Sequence, residues 1–197
     1  MNRLWIAALA ALFFAPILSH AQANSESVVE GTPQYVTPVH PIPSGNAPGM
    51  KVQLLSDQNG QKEYAVIFST GDEAFSGLTD FAKQYHVTSA HFTAIGAIGA
   101  ATIGWFDPSR KMYKAMPFTG QMEVVSMIGD IALYNDKPAV HTHAVLGLPD
   151  GTTRGGHVLE MHVRPTLEVM VTVDPKDMHK RLDPETDLTL IDPSAHP

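Results

Sequence analysis

Residues 141–157 read HTHAVLGLPDGTTRGGH, and the folding of this stretch decides which face of the protein carries its chemistry. The run after His141 has strand character, Leu148-Pro149-Asp150-Gly151 supplies a reversal, and the chain returns to His157. Successive side chains of an extended strand point to opposite faces, so His141 and His143 share one face and Thr142 takes the other. With the turn centred on Asp150, residues whose numbers sum to 300 lie opposite each other, which sets His143 against His157. A slip of one residue sends His157 to the far face. Gly155-Gly156 is where a bulge can introduce that slip.

Three neutral imidazoles on one face fit an open metal site, in which a fourth position is left for water or substrate. The other reading of the same residues is a polar lining for a glycine-rich hairpin. The sequence contains no cysteine, so a metal here has only imidazole, carboxylate, carbonyl or water as ligands. A cupin barrel also places two histidines two apart on a strand, but a glutamate follows there, and here AVLGLPDG takes its place. No G-x-S-x-G elbow and no G-x-x-x-x-G-K-S/T phosphate loop occurs in the chain.

Outward from the hairpin the pattern is mostly strand. MKVQLLS and EYAVIFS flank Asn59-Gly60, a strong hairpin turn. TGDEAFSGLTDFAKQYHV is the single clear helix: Ala74, Phe75, Leu78, Phe81, Ala82 and Tyr85 recur at helical spacing, with Thr70 or Asp72 as cap. SAHFTAIGAIGAATIGWFD, KMYKAMPF, MEVVSMIGDIAL, AVHTHAVLGL, RGGHVLEMHVRP and TLEVMVTVD then read as further strands, about eight in all with mixed or antiparallel connections. The class is α+β. Gly96, Gly99 and Gly104 do not match the spaced dinucleotide fingerprint and precede strand, not helix. A bent or tightly crossed strand accounts for them better than a ligand loop.

Glu160 and Glu168 lie among apolar strand residues, as HVLEMHV and TLEVMV. Each is a candidate to orient a ligand histidine or act as a general base, and each also fits the solvated face of a half-buried strand. His162 shares a face with Glu160. His86 and His91 are weaker candidates, at a helix end and a strand start, and His40, His179 and His196 read as exposed.

The chain of 197 residues, 44% apolar and 17% charged, has the balance of one globular domain. Residues 1–23, MNRLWIAALAALFFAPILSHAQA, combine Arg3, an apolar run over 4–18 and small residues at Ala21 and Ala23. They read as a secretory signal cut after Ala23. As an uncleaved anchor the run is short of the ~20 residues that span a bilayer, and Pro16 breaks it. The expected mature protein is periplasmic or secreted, without a stable membrane anchor. Residues 24–49, with five prolines and three glycines, read as an extended arm whose Tyr35, Val36, Val39 and Ile42 can lie along a neighbouring surface. The core domain spans 50–175, and the tail, 176–197, is either loose or adds an edge strand over 188–191. After signal removal twelve basic residues face twenty acidic ones, a formal charge of −8. That balance repels phosphate backbones, so no nucleic acid is expected as partner.

FTAIGAIGAATIGWFDPSRKMYKAM, MEVVSMIGDIAL and HTHAVLGLPDGTTRGGHVLEMHVRPTLEVMVTV, taken in this order, resemble the PPC domain, the plants and prokaryotes conserved domain, over residues 50–173. The resemblance implies an α/β sandwich of a twisted, mostly antiparallel sheet with one main helix, assembled as a homotrimer. It also implies a divalent metal, zinc being the favoured ion, on His141, His143 and His157. It implies no reaction. The Arg-Gly-Arg-Pro hook that accompanies the domain in DNA-binding plant proteins is absent from this sequence. Three functions follow: a metal-binding trimer with an open position for a small-molecule ligand, a metal-dependent hydrolase or lyase assisted by Glu160 or Glu168, or a trimeric protein-interaction module.

Overall fold

The computed structural model describes residues 27–38 and 45–194. The signal segment at 1–23, residues 24–26 and 39–44 of the arm, with Val39, His40 and Ile42, and residues 195–197 of the tail, with His196, lie outside the described residues. In chain order the elements are β1 (Val29–Glu30), β2 (Gln34–Val36), β3 (Lys51–Gln58), β4 (Gln61–Ser69) and α1 (Ala74–Gln84). There follow β5 (Ser89–Asp107), β6 (Met112–Tyr134), β7 (Lys137–Gly147), β8 (Thr153–Val173), β9 (Lys180–Leu182) and β10 (Thr189–Ile191). The strands β1 to β8 form one antiparallel sheet, and β9 and β10 pair as a separate hairpin.

Three strands are far longer than the usual ~5–6 residues: β5, β6 and β8 have 19, 23 and 21. They absorb that length by bending. The sequence suggests a break in β6 near Pro117–Gly120 and another in β8 at Pro165, but both strands run through these points, because register shifts bend the ladder without ending it. One bend lies at Gly96, where a Cβ would sit 2.3 Å from the Thr166 carbonyl oxygen on β8. The glycine run therefore serves a close strand crossing, as expected.

Bending lets β5 and β7 each pair with both β6 and β8, so the four strands close a ring of pairings. β4 and β3 extend the sheet from the second half of β8. At the other margin the arm is less free than its composition implies: β1 and β2 pair with the first half of β6, Val29 opposite Thr119 and Tyr35 opposite Lys114. Tyr35 lies under the Arg110 guanidinium, 4.7 Å from ring centroid to carbon. The arm thus covers a strand edge that would otherwise present unpaired amides.

Helix α1 packs on one face of the sheet. Ala74, Phe75, Leu78, Phe81 and Ala82 are buried, and Phe81 meets Tyr64 edge-on at 5.4 Å. Full burial of each large side chain contributes about 1.5–3 kcal/mol, which outweighs the modest helix propensity of a segment containing Gly77 and Thr79. The cap is neither Thr70 nor Asp72. Asp72 is already engaged, accepting from the Gly49 and Ser69 amides, so Glu73 caps instead and accepts from Phe75 and Ser76. Its longer side chain also reaches the Met161 amide of β8 at 2.9 Å. That tie fixes the start of the helix onto the strand that carries His157.

Candidate metal centre

The register of the β7–β8 hairpin is the expected one: His143 is paired with His157, Ala144 with Gly156 and Val145 with Gly155, with no bulge between them. On β7 the core receives Val140, Thr142, Ala144 and Leu146, so the alternation turns His141 and His143 to the other face. Gly156 makes the turn of β8 towards His157 possible. Its φ is +157°, and a Cβ there would meet the Gly104 carbonyl oxygen and the Ile103 Cγ2 at 2.7 Å.

The three rings come together. Their centroids are 5.1 Å apart for His141 and His143, 5.3 Å for His141 and His157, and 5.4 Å for His143 and His157. One nitrogen from each lies within 4.8 Å of the others. Nitrogens bound at ~2.0–2.1 Å to a tetrahedral ion stand ~3.4 Å apart, so closing the site needs side-chain adjustments on the order of an ångström. The residues fit a three-histidine metal site.

The surroundings orient these rings. Asp130, opposite His141 across β6 and β7, lies 3.0 Å from the His141 Nδ1. A carboxylate in that place fixes the tautomer that leaves Nε2 for a ligand bond, as is usual for metal-binding histidines. The other Asp130 oxygen pairs with the Lys180 Nζ at 2.8 Å. Burial pushes the Asp130 carboxyl up, but hydrogen bonds from His141 and Lys180 outweigh it and hold its pKa below the ordinary carboxylate value. Tyr113 stacks flat on His157, with centroids 4.5 Å apart and planes 9° apart. Burial raises the Tyr113 pKa, so it presents a protonated hydroxyl. Burial lowers the His143 pKa, and the neighbouring His141 adds to this against the pull of Asp130. His143 is thereby kept neutral, the form that binds a metal.

Sequence reasoning missed Asp130, Lys180 and Tyr113. Asp130 left a trace, a lone acid inside the apolar run SMIGDIAL. Lys180 left none, because it comes from the tail. Of the two candidate acids, Glu160 is exposed, one register slip beyond Val158 on β8, and pairs with the His162 Nε2 at 2.9 Å. Glu168 is exposed on β8 opposite Ile95 and Ile67. Neither belongs to the histidine cluster. His91 pairs with Asp174 at 3.6 Å, and His86 follows α1 with a positive φ.

Beside the cluster is a partly open cavity of about 400 Å³, with His141 and His157 in its wall. Small-molecule sites span roughly 300–1,000 Å³.

No curated protein matches the chain. Solved structures that resemble it include a plant- and prokaryote-conserved (PPC) protein from Pyrococcus horikoshii, 25% identical with a TM-score of 0.63, covering 74% of this chain and 97% of its own. A metal-containing protein from Archaeoglobus fulgidus is 25% identical with a TM-score of 0.62, covering 72% and 96%. A protein from Ralstonia eutropha, described as a candidate DNA-binding protein, is 29% identical with a TM-score of 0.63, covering 71% and 94%. The family model for the Plants and Prokaryotes Conserved (PCC) domain matches residues 55–174, well over half of the chain. A mostly antiparallel sheet with one helix, bearing this hairpin, is therefore a PCC domain, and the chain belongs to that family.

Proposed function

We propose that the protein is an exported homotrimer that binds one divalent ion, zinc, through His141, His143 and His157 and presents it to a small molecule. The observation that carries this reading is the convergence of three ring nitrogens within 4.8 Å, one ring being held by Asp130. The metal content of the Archaeoglobus relative supports it. When bound, such an ion supplies Lewis acidity towards an oxygen or nitrogen donor. The chain's own part is to hold the three rings together, with Asp130 orienting His141 and burial favouring the neutral form of His143. Glu160 and Glu168 have no role in it, since both stand outside the cluster.

Export rests on the sequence of residues 1–23, and trimer formation on the family resemblance together with exposed apolar side chains on one sheet face, Met170, Ile128 and Ile95. DNA is no partner in this reading, despite the description of the Ralstonia relative, because a formal charge of −8 after signal removal opposes the counterion release that drives such binding.

Elemental analysis of protein purified without a histidine tag tests the proposal. One zinc per chain is expected, lost on replacing His143 or His157 by alanine. Metal-free protein that takes up no zinc, or uptake unchanged in both variants, overturns it.

A further inference from the structure

The family match ends at residue 174, and nearly the whole length of each solved relative is accounted for by about three-quarters of this chain. The hairpin β9–β10 lies beyond that match, yet it is firmly docked. Its approach accepts at the Met178 carbonyl from the Leu133 amide of β6 at 2.7 Å, and Lys111 donates to the Pro184 carbonyl at 2.9 Å. Lys180 buries its ammonium, 3% exposed, against Asp130. The docked hairpin contributes to the cavity wall: Leu188, Leu190 and Ile191 line it together with His141 and His157.

The cavity wall has a clear division of chemistry. Tyr113, which stacks on His157, and Tyr134 and Val140 add further ring and aliphatic surface to the lining. Asp130 is the one carboxylate among the described lining residues, and Lys180 the one ammonium. Those two neutralise each other at 2.8 Å. Three neutral imidazoles leave the charge of a divalent ion intact, and no other lining group offsets it. A ligand that completes the site must then bring negative charge at one end and apolar surface over the rest.

We infer that the C-terminal hairpin is the selecting wall of a ligand cavity for small amphipathic anions, with a carboxylate-type head at the histidine cluster and an aromatic or branched aliphatic body against Leu188, Leu190 and Ile191. The inference rests on the metal reading above and names the ligand class of that same site. Leu190 and Ile191 are 46% and 42% exposed, an apolar pair left half open where an occupant would cover it.

Calorimetric titration of the zinc-loaded chain with benzoate, acetate and benzyl alcohol tests it. Acetate carries the head alone and benzyl alcohol the body without charge. Benzoate is expected to bind at least about tenfold more tightly than either, since burying its ring adds to the charge term. Leu190→Asp and Ile191→Asp place a repelling charge at half-exposed positions of β10, outside the eight-stranded sheet. Each should weaken benzoate by about tenfold or more and leave zinc content unchanged. Benzoate no tighter than acetate, or undiminished in both folded variants, overturns the selecting wall while the metal site stands. Failure to load zinc strikes the metal reading itself, and the ligand class falls with it.

Discussion

At the scale of single residues, Asp130 decides how well the histidine cluster is built. It accepts from His141 and neutralises Lys180 with its two oxygens, both within 3.0 Å. Asp130→Asn keeps the shape and removes the charge. Zinc affinity should fall about 10–100-fold, the usual consequence of removing a carboxylate behind a ligand histidine. Stability should fall by about 3 kcal/mol, because Lys180 is left buried without its counter-charge. Competition against a zinc chelator and urea unfolding measure the two effects, and an unchanged zinc affinity would show that Asp130 serves only Lys180. The His143 pKa makes a second prediction. It lies below the ordinary histidine value of about 6.5, so above that pH His143 is neutral in folded and unfolded chains alike and contributes no pH dependence. As pH falls below ~6.5 the unfolded chain takes the proton first, and metal-free protein loses stability down to the folded pKa. Zinc affinity should be nearly constant above about pH 7 and decline below it. An affinity that rises on acidification contradicts neutral imidazole ligation.

At the scale of elements, the hairpin was the legible part of the site. A two-residue side-chain period and a Pro-Asp-Gly reversal are local properties, and together they fix the pairing of His143 with His157. The support behind the rings was illegible because it is not local: Asp130 comes from β6 and Lys180 from β9, residues brought in by ladder and tail. The helix cap failed for a related reason. Residue type favours Asp72, but tertiary contacts claim it, and Glu73 succeeds because it serves two elements at once. Glu73→Ala strips the acceptor from three amides, at Phe75, Ser76 and Met161. Loss of the cap and of buried hydrogen bonds should cost about 2–4 kcal/mol, read as a lowered urea midpoint at unchanged slope. A loss below about 1 kcal/mol would mean that water replaces the carboxylate. Glycines in the long strands separate in the same way. Gly156→Ala forces a Cβ to 2.7 Å from the Gly104 carbonyl oxygen, whereas at Gly99 the nearest atom is 3.5 Å away on a flexible arginine. The first should cost about 1–3 kcal/mol and weaken zinc binding by displacing His157, and the second should be close to neutral. Equal effects on zinc binding would remove the link between that close approach and the site.

At the scale of the molecule, one face of the sheet is covered by α1 and the other presents apolar side chains to solvent. Met170, Thr93, Ile128 and His143 stand side by side in one row across β8, β5, β6 and β7. Met170 is 48% and Ile128 57% exposed, and Ile95 and Val145, two residues along from that row, are exposed as well. Scattered exposed aliphatics are ordinary, but several gathered on one face of adjacent strands fit an association surface. The sequence carried the strands that build this face but not its contiguity, which depends on the register of four strands at once. In the trimeric reading two further copies cover the row, and His143 of the candidate metal site, at its end, lies at the margin of that interface. Sedimentation of the metal-free and zinc-loaded chain should therefore give a mass three times that of the protomer, and Ile128→Glu or Met170→Glu should reduce it to the protomer mass, since each buries an unpaired charge on association. The helix-packed core is untouched by either change, so the monomeric variants should still fold, with an unfolding midpoint lowered only by the association that they lose. A wild-type mass of one protomer, or trimers unaffected by both charges, would assign the row to some other contact and leave each histidine cluster complete within its own chain.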